Sequence, residues 1–162
     1  MALLRMALVP LAAVAAFVLD EAAAAAVDAV PRTRRQRTGK RAVVLGLPLV
    51  LWTVGIAAVE WRVPATPATG LLVEGAGVLA ITLALAAVLR WGGRAEPGEV
   101  TAAAVGGAIL ALVVFDVPSW WPVQIFPGDA GWSASTVLWG LVAVASAMVV
   151  AGASREPYRL SR

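Results

Sequence analysis

Five carboxylates, Asp20, Glu21, Asp28, Glu74 and Asp116, fall within or against long apolar runs of this 162-residue chain. Ionisable side chains at membrane depth are costly, and where they occur they mark proton relays, cation sites or ion pathways. Glu74 is the sharpest case. It lies four residues after Gly70, which opens its apolar run, and Gly75 and Gly77 follow; that spacing is about 6 Å along a helix. Small neighbours let another backbone approach and line a cavity, in which a carboxylate could take a proton or a sodium ion. The plainer reading is a carboxylate at the outer interface that reaches water.

Asp116 stands in Phe115-Asp116-Val117-Pro118, where the proline stops a helix. A helix-end carboxylate meeting water explains it, and pairing with Arg62 across the same face is the functional version. Asp20, Glu21 and Asp28 fall within ~100° of one another on a helix. Such a stripe could bind a cation or relay protons. It could also be a wet helix face beside the neighbouring arginines.

Other chemistry is excluded by residue type. The chain has no Cys, His or Asn, a single lysine at Lys40 and a single tyrosine at Tyr158. It therefore has no disulfide framework, no His-ligated haem, no Cys or His zinc site and no Ser-His-Asp relay. Gly39-Lys40 is followed by Arg41 and lacks a glycine cradle, so it is no phosphate-binding loop. No catalytic residue, metal or cofactor is expected, which leans against an enzyme.

The elements that must hold these carboxylates follow from hydropathy. Sixty per cent of the residues are apolar and 14% are charged, against roughly a quarter charged in a soluble domain. Crossing a hydrocarbon core takes about 20 apolar residues. Four runs qualify: Ala42 to Val59, Gly70 to Leu89, Val100 to Val117 and Ser135 to Ala153. Pro, Gly and charge separate them, reading as short turns. The fold expected is a single all-α, polytopic bundle of five transmembrane helices over residues 1–162, with sequential neighbours packed together. The alternative is four spans plus an interfacial N-terminal helix.

The N-terminal run, Ala2 to Val30, is the ambiguous one. A carboxylate at a helix centre costs roughly 3 kcal/mol on insertion scales. A span over Ala2 to Leu19 lets Arg5 snorkel to one interface and leaves the acids at the other. A span over Met6 to Val27 buries Asp20 and Glu21, and is the less favoured placement. A cleaved secretory signal is the third option. It would place the basic segment 31–41 outside, with Arg32, Arg34, Arg35, Arg37, Lys40 and Arg41, and such loops stay cytoplasmic. Cleavage is therefore not expected.

Holding that loop inside orients the rest. Five spans place the N-terminus outside and the C-terminus in the cytoplasm of a cell (cytoplasmic) membrane. Eleven of the 13 Lys and Arg residues then face inward, leaving Arg5 and Arg62 outside. Trp61, Trp120, Trp121 and Trp132 fall in the outer loops and Trp91 borders an inner one, as interfacial anchors do. Trp52 and Trp139 fall within spans and suit packing between helices. The net charge of +3 thus reports membrane orientation and not nucleic-acid binding. The basic loop could also attract anionic lipid headgroups. No internal repeat supports inverted-repeat transport.

The segment Pro118 to Asp129, with three prolines and three aromatics, is a stiff amphipathic loop suited to anchoring or capping. Gly46, Pro48, Gly55 and Gly106-Gly107 suit close packing or a mild kink. The stretch Val100-Thr101-Ala102-Ala103-Ala104-Val105-Gly106-Gly107 resembles a Thr-Glu-Ala-Ala-Val-Gly run in small membrane subunits of multisubunit cation/proton antiporters. The glutamate of that run is Ala102 here, so no function is carried over.

Three functions fit these residues. The first is an accessory or scaffold subunit of a membrane complex, with the bilayer and other membrane subunits as partners. The second is an ion or small-solute carrier using Glu74, with Asp116 or the first-helix acids. The third, weakest because no paired carboxylates accompany a phosphate-binding cluster, is a lipid-processing enzyme.

Overall fold

The structure is a computed structural model that describes residues 2–20, 46–63, 66–94, 96–115, 123 and 129–153. All secondary structure among them is helical: α1 Ala2–Met6, α2 Leu8–Phe17, α3 Gly46–Arg62, α4 Ala68–Trp91, α5 Gly98–Val114 and α6 Trp132–Ala153.

Local chemistry sets most of these boundaries. α1 and α2 are one run interrupted at Ala7, whose N–H is shared between the Leu3 and Leu4 carbonyls. Pro10 accounts for the interruption, because it lacks an N–H and its ring crowds the carbonyl four residues earlier, at Met6. α4 follows Pro67 and ends on Gly93, at φ 99°. There Gly93 N–H donates to Arg90 O and Arg94 N–H to Leu89 O, the paired bonds of a Schellman stop. α5 opens directly after Pro97 and places Glu99 in its first turn, at the positive end of its dipole.

Several boundaries differ from the hydropathy reading. α3 continues through Glu60, Trp61 and Arg62, expected as turn residues, and Val63 N–H still reaches Val59 O at 2.8 Å. Helical bonding persists there until Pro64 interrupts the sequence, so polarity alone did not end the helix. α5 starts two residues earlier than Val100 because Pro97 fixes its first turn, and Phe115 is extended. The first helix stops at Phe17, and residues 21–27 of the less favoured placement lie outside the described residues.

Among the described residues two helices, α4 and α6, are long and apolar enough to cross a membrane, with mean hydropathies of 2.2 and 2.0. Their 24 and 22 residues correspond to about 36 and 33 Å. α3 and α5, with 17 residues each, reach about 26 Å, short of a ~30 Å core.

α4 is the hub, packed against α2, α3, α5 and α6. It is 61% buried along its apolar window, against 6% for α6. The main pairings, α4 with α6 and α2 with α5, skip sequence neighbours, contrary to the expected sequential packing. Side-chain size explains this. Ala12, Ala15 and Ala16 make a smooth, fully buried strip on α2, and Gly70 and Gly77 open α4 to Trp132 and Trp139 of α6. Leu8, Trp52, Ile56, Leu71, Val78 and Ile109 form one core cluster, and Leu19, Leu83, Ala86 and Ala87 a second toward the other end of α4.

Candidate functional site

The two buried charged side chains among the described residues face each other. Arg5 lies in the last turn of α1 and Glu74 in the second turn of α4, with exposures of 3% and 5%. Arg5 Nε lies 2.8 Å from Glu74 Oε1, and Arg5 Nη2 donates to Oε2 at 3.1 Å. One charge-assisted hydrogen bond and a second close approach of opposite charges join the pair.

Helical spacing places both groups inward. Arg5, Leu8 and Ala12 occupy one stripe, as do Leu71, Glu74 and Val78, and all six are buried. Arg5 therefore does not snorkel to an interface. Its guanidinium is the cation that pairs Glu74. Leu8, Val78, Ile109, Val113, Val123 and Trp139 help enclose a cavity of about 40 Å³ against the pair.

Of the glycines after Glu74, Gly77 admits another backbone as expected, with Trp139 O 3.0 Å from where its Cβ would stand, whereas Gly75 admits only a ring. A Cβ on Gly75 would stand 2.7 Å from Trp52 Cε2, and one on Gly77 would stand 2.7 Å from Trp139 Cε3. Indole rings thus occupy the space that a side chain would need at both positions. Trp52 Nε1 donates to Leu71 O at 2.8 Å, and Trp139 Nε1 to Val123 O at 3.3 Å. The rings present carbon to the core with their one polar edge satisfied.

At the opposite end of α4, Asp20 lies beyond the end of α2 and accepts the Gly98 N–H on Oδ1 at 2.7 Å. A carboxylate just past one helix thereby caps the first turn of another, where the dipole favours negative charge. Arg90 Nη1 donates to Leu19 O at 2.5 Å nearby. The expected helical acidic stripe does not run through Asp20, because the helix has already stopped. Glu21 and Asp28 lie outside the described residues, as do Asp116, Arg32, Arg34, Arg35, Arg37, Lys40, Arg41, Trp120 and Trp121.

Trp61 and Trp91 are exposed at 89% and 58%, whereas Trp132 is half-buried and seats against Gly70. Arg62 is exposed. No group of three or more metal-ligating side chains converges among the described residues. The arrangement neutralises charge in the core and ties helix ends together. The signal missed in the sequence was a pair of opposite charges at similar depths in two runs, each one turn from buried apolar neighbours. Compared with protein-family models, curated proteins and solved structures, the chain matches none.

Proposed function

We propose that this chain is a multi-pass protein of the cell membrane, with five spans and its basic segment in the cytoplasm, serving as an accessory or scaffold subunit of a membrane complex. The observation that carries the reading is the outward face of α6. Val137, Leu141, Val144 and Met148 form one helical stripe exposed at 60–66%. Within the chain α6 packs chiefly on α4. A contiguous apolar surface of this kind fits lipid or another membrane helix and is a liability in water.

The placement of helix ends fits the alternation of the proposed spans. Arg5 and Glu74 belong to the ends assigned outside by charge counting, and they meet. Asp20, Arg90 and Gly98 belong to the ends assigned inside, and they also meet. With Glu74 neutralised by Arg5, a scaffold needs no further chemistry from it. The tagged chain, solubilised from its own membrane in mild detergent, is expected to migrate with other subunits. A stable solitary monomer under those conditions would overturn the assignment.

One observation favours transport as a second reading: the cavity of about 40 Å³ against the ion pair. That is room for roughly one water molecule beside two charged groups. If the carboxylate exchanges a cation there, Glu74→Gln should abolish pH- or cation-dependent flux in proteoliposomes. Flux that is unchanged by the substitution removes Glu74 from any such mechanism.

A further inference from the structure

An apolar groove of about 440 Å³ runs between α5 and α6 with α4 as its floor. Val78, Ile81, Ala84, Leu85 and Val88 supply the floor, Ala104, Ala108 and Leu112 one wall, and Trp139 and Val149 the other. No polar or charged side chain lines it other than Trp139, whose N–H is already donated to Val123 O. We infer that this groove holds one acyl chain of a membrane phospholipid as a resident ligand, an inference that rests on the membrane-spanning reading above.

Dimensions select this occupant. Val78 to Val88 on the floor and Trp139 to Val149 on the wall are each ten residues apart, or about 15 Å. That is half of a ~30 Å hydrocarbon core, the depth of one leaflet. The half concerned is the one nearer Trp91, which the charge count assigns to the cytoplasmic side. Trp91 lies one turn past Val88 on the same face and is 58% exposed, at the level where indole rings favour the headgroup boundary.

Length separates a lipid chain from a helix. A partner helix would need a track along the whole ~30 Å span, and the groove runs about half of that. An extended hydrocarbon chain is about 4–5 Å across, set by carbon contact distances, and fills ~200–300 Å³ over that length. Small residues make the space: Ala84, Ala104 and Ala108 leave room that Leu or Phe would occupy. Gly77 makes the wall by letting Trp139 sit close to α4.

The test uses the full chain in phosphatidylcholine vesicles doped with a phosphatidylcholine that carries a diazirine in one acyl chain. After photolysis, adducts are mapped by peptide mass spectrometry. Adducts at Ala84, Ala104 and Ala108 should saturate at one lipid per chain. Ala108→Phe or Ala104→Leu, checked for retained helicity, should lower labelling of the remaining groove positions about tenfold or more. Labelling of the outward α3 residues Leu47 to Val54 should be unchanged and non-saturating. Equal, non-saturating labelling of groove and α3, or chain-to-chain crosslinking through the groove, would overturn the lipid site and leave the membrane reading standing. Absence of adducts on α3 as well as the groove would overturn the membrane reading itself.

Discussion

The buried Arg5–Glu74 pair yields the most decisive energetic prediction. Both side chains are about 95% buried and their charged atoms meet at 2.8 and 3.1 Å. Two unit charges about 4 Å apart attract by about 4 kcal/mol at an effective dielectric of 20. Removing one partner strands the other in an apolar core, at a cost of about 3–5 kcal/mol. Arg5→Met and Glu74→Leu should therefore each destabilise the fold by about that much. The double variant, which replaces both ions with apolar groups of similar volume, should recover to within about 2 kcal/mol of the native chain. The assay is a double-mutant cycle by dodecyl sulfate titration in mixed lipid micelles, followed by far-ultraviolet circular dichroism. A coupling free energy above about 3 kcal/mol is the expected outcome. Additive losses, or single-variant costs below about 1 kcal/mol as for exposed pairs, would refute a buried, mutually neutralised pair.

The other predictions concern helix contacts. Gly77→Val places side-chain carbon against the Trp139 ring and within 3.0 Å of its backbone oxygen. It should destabilise the fold by about 1–3 kcal/mol and detach α6; spin-label distances between α4 and α6 should lengthen, and unchanged distances would contradict the packing. Asp20→Ala removes the cap on the Gly98 N–H and should cost about 0.5–2 kcal/mol. Amide exchange in the first turn of α5 should accelerate in that variant, while exchange in the middle of α4 stays at its native rate.

The sequence makes the helices legible and their partners much less so. Apolar runs, together with Pro67, Pro97 and the Gly92-Gly93 pair, locate α4 and the start of α5 to within a few residues. Their signals are local: a missing N–H or a left-handed glycine acts within one turn. Pro10 also acts locally, but its break is masked by apolar residues on both sides. The role of Arg5 was hidden for a different reason. Its buried stripe through Leu8 and Ala12 has no contrast with the rest of a helix that is apolar all round.

Helix pairing depends on three-dimensional size matching. The glycines of α4 are conspicuous in the sequence, as are the tryptophans. That Gly75 receives Trp52 from α3 while Gly70 and Gly77 receive Trp132 and Trp139 from α6 becomes visible only when the helices are assembled. Hence Glu74 is legible as a buried-site candidate and Trp52 and Trp139 as rings packed between helices, whereas the pairing of Glu74 with Arg5 and the seating of each ring on a particular glycine are not.

Orientation in the bilayer is the claim on which the functional reading depends, and cysteine accessibility tests it without background because the native chain has no thiol. Thr38→Cys and Ala130→Cys, expressed separately in intact cells, should behave oppositely toward a membrane-impermeant maleimide. Ala130→Cys is expected to label directly, and Thr38→Cys only after the membrane is permeabilised. Direct labelling of Thr38→Cys on intact cells, or release of the chain by carbonate extraction, would contradict the account.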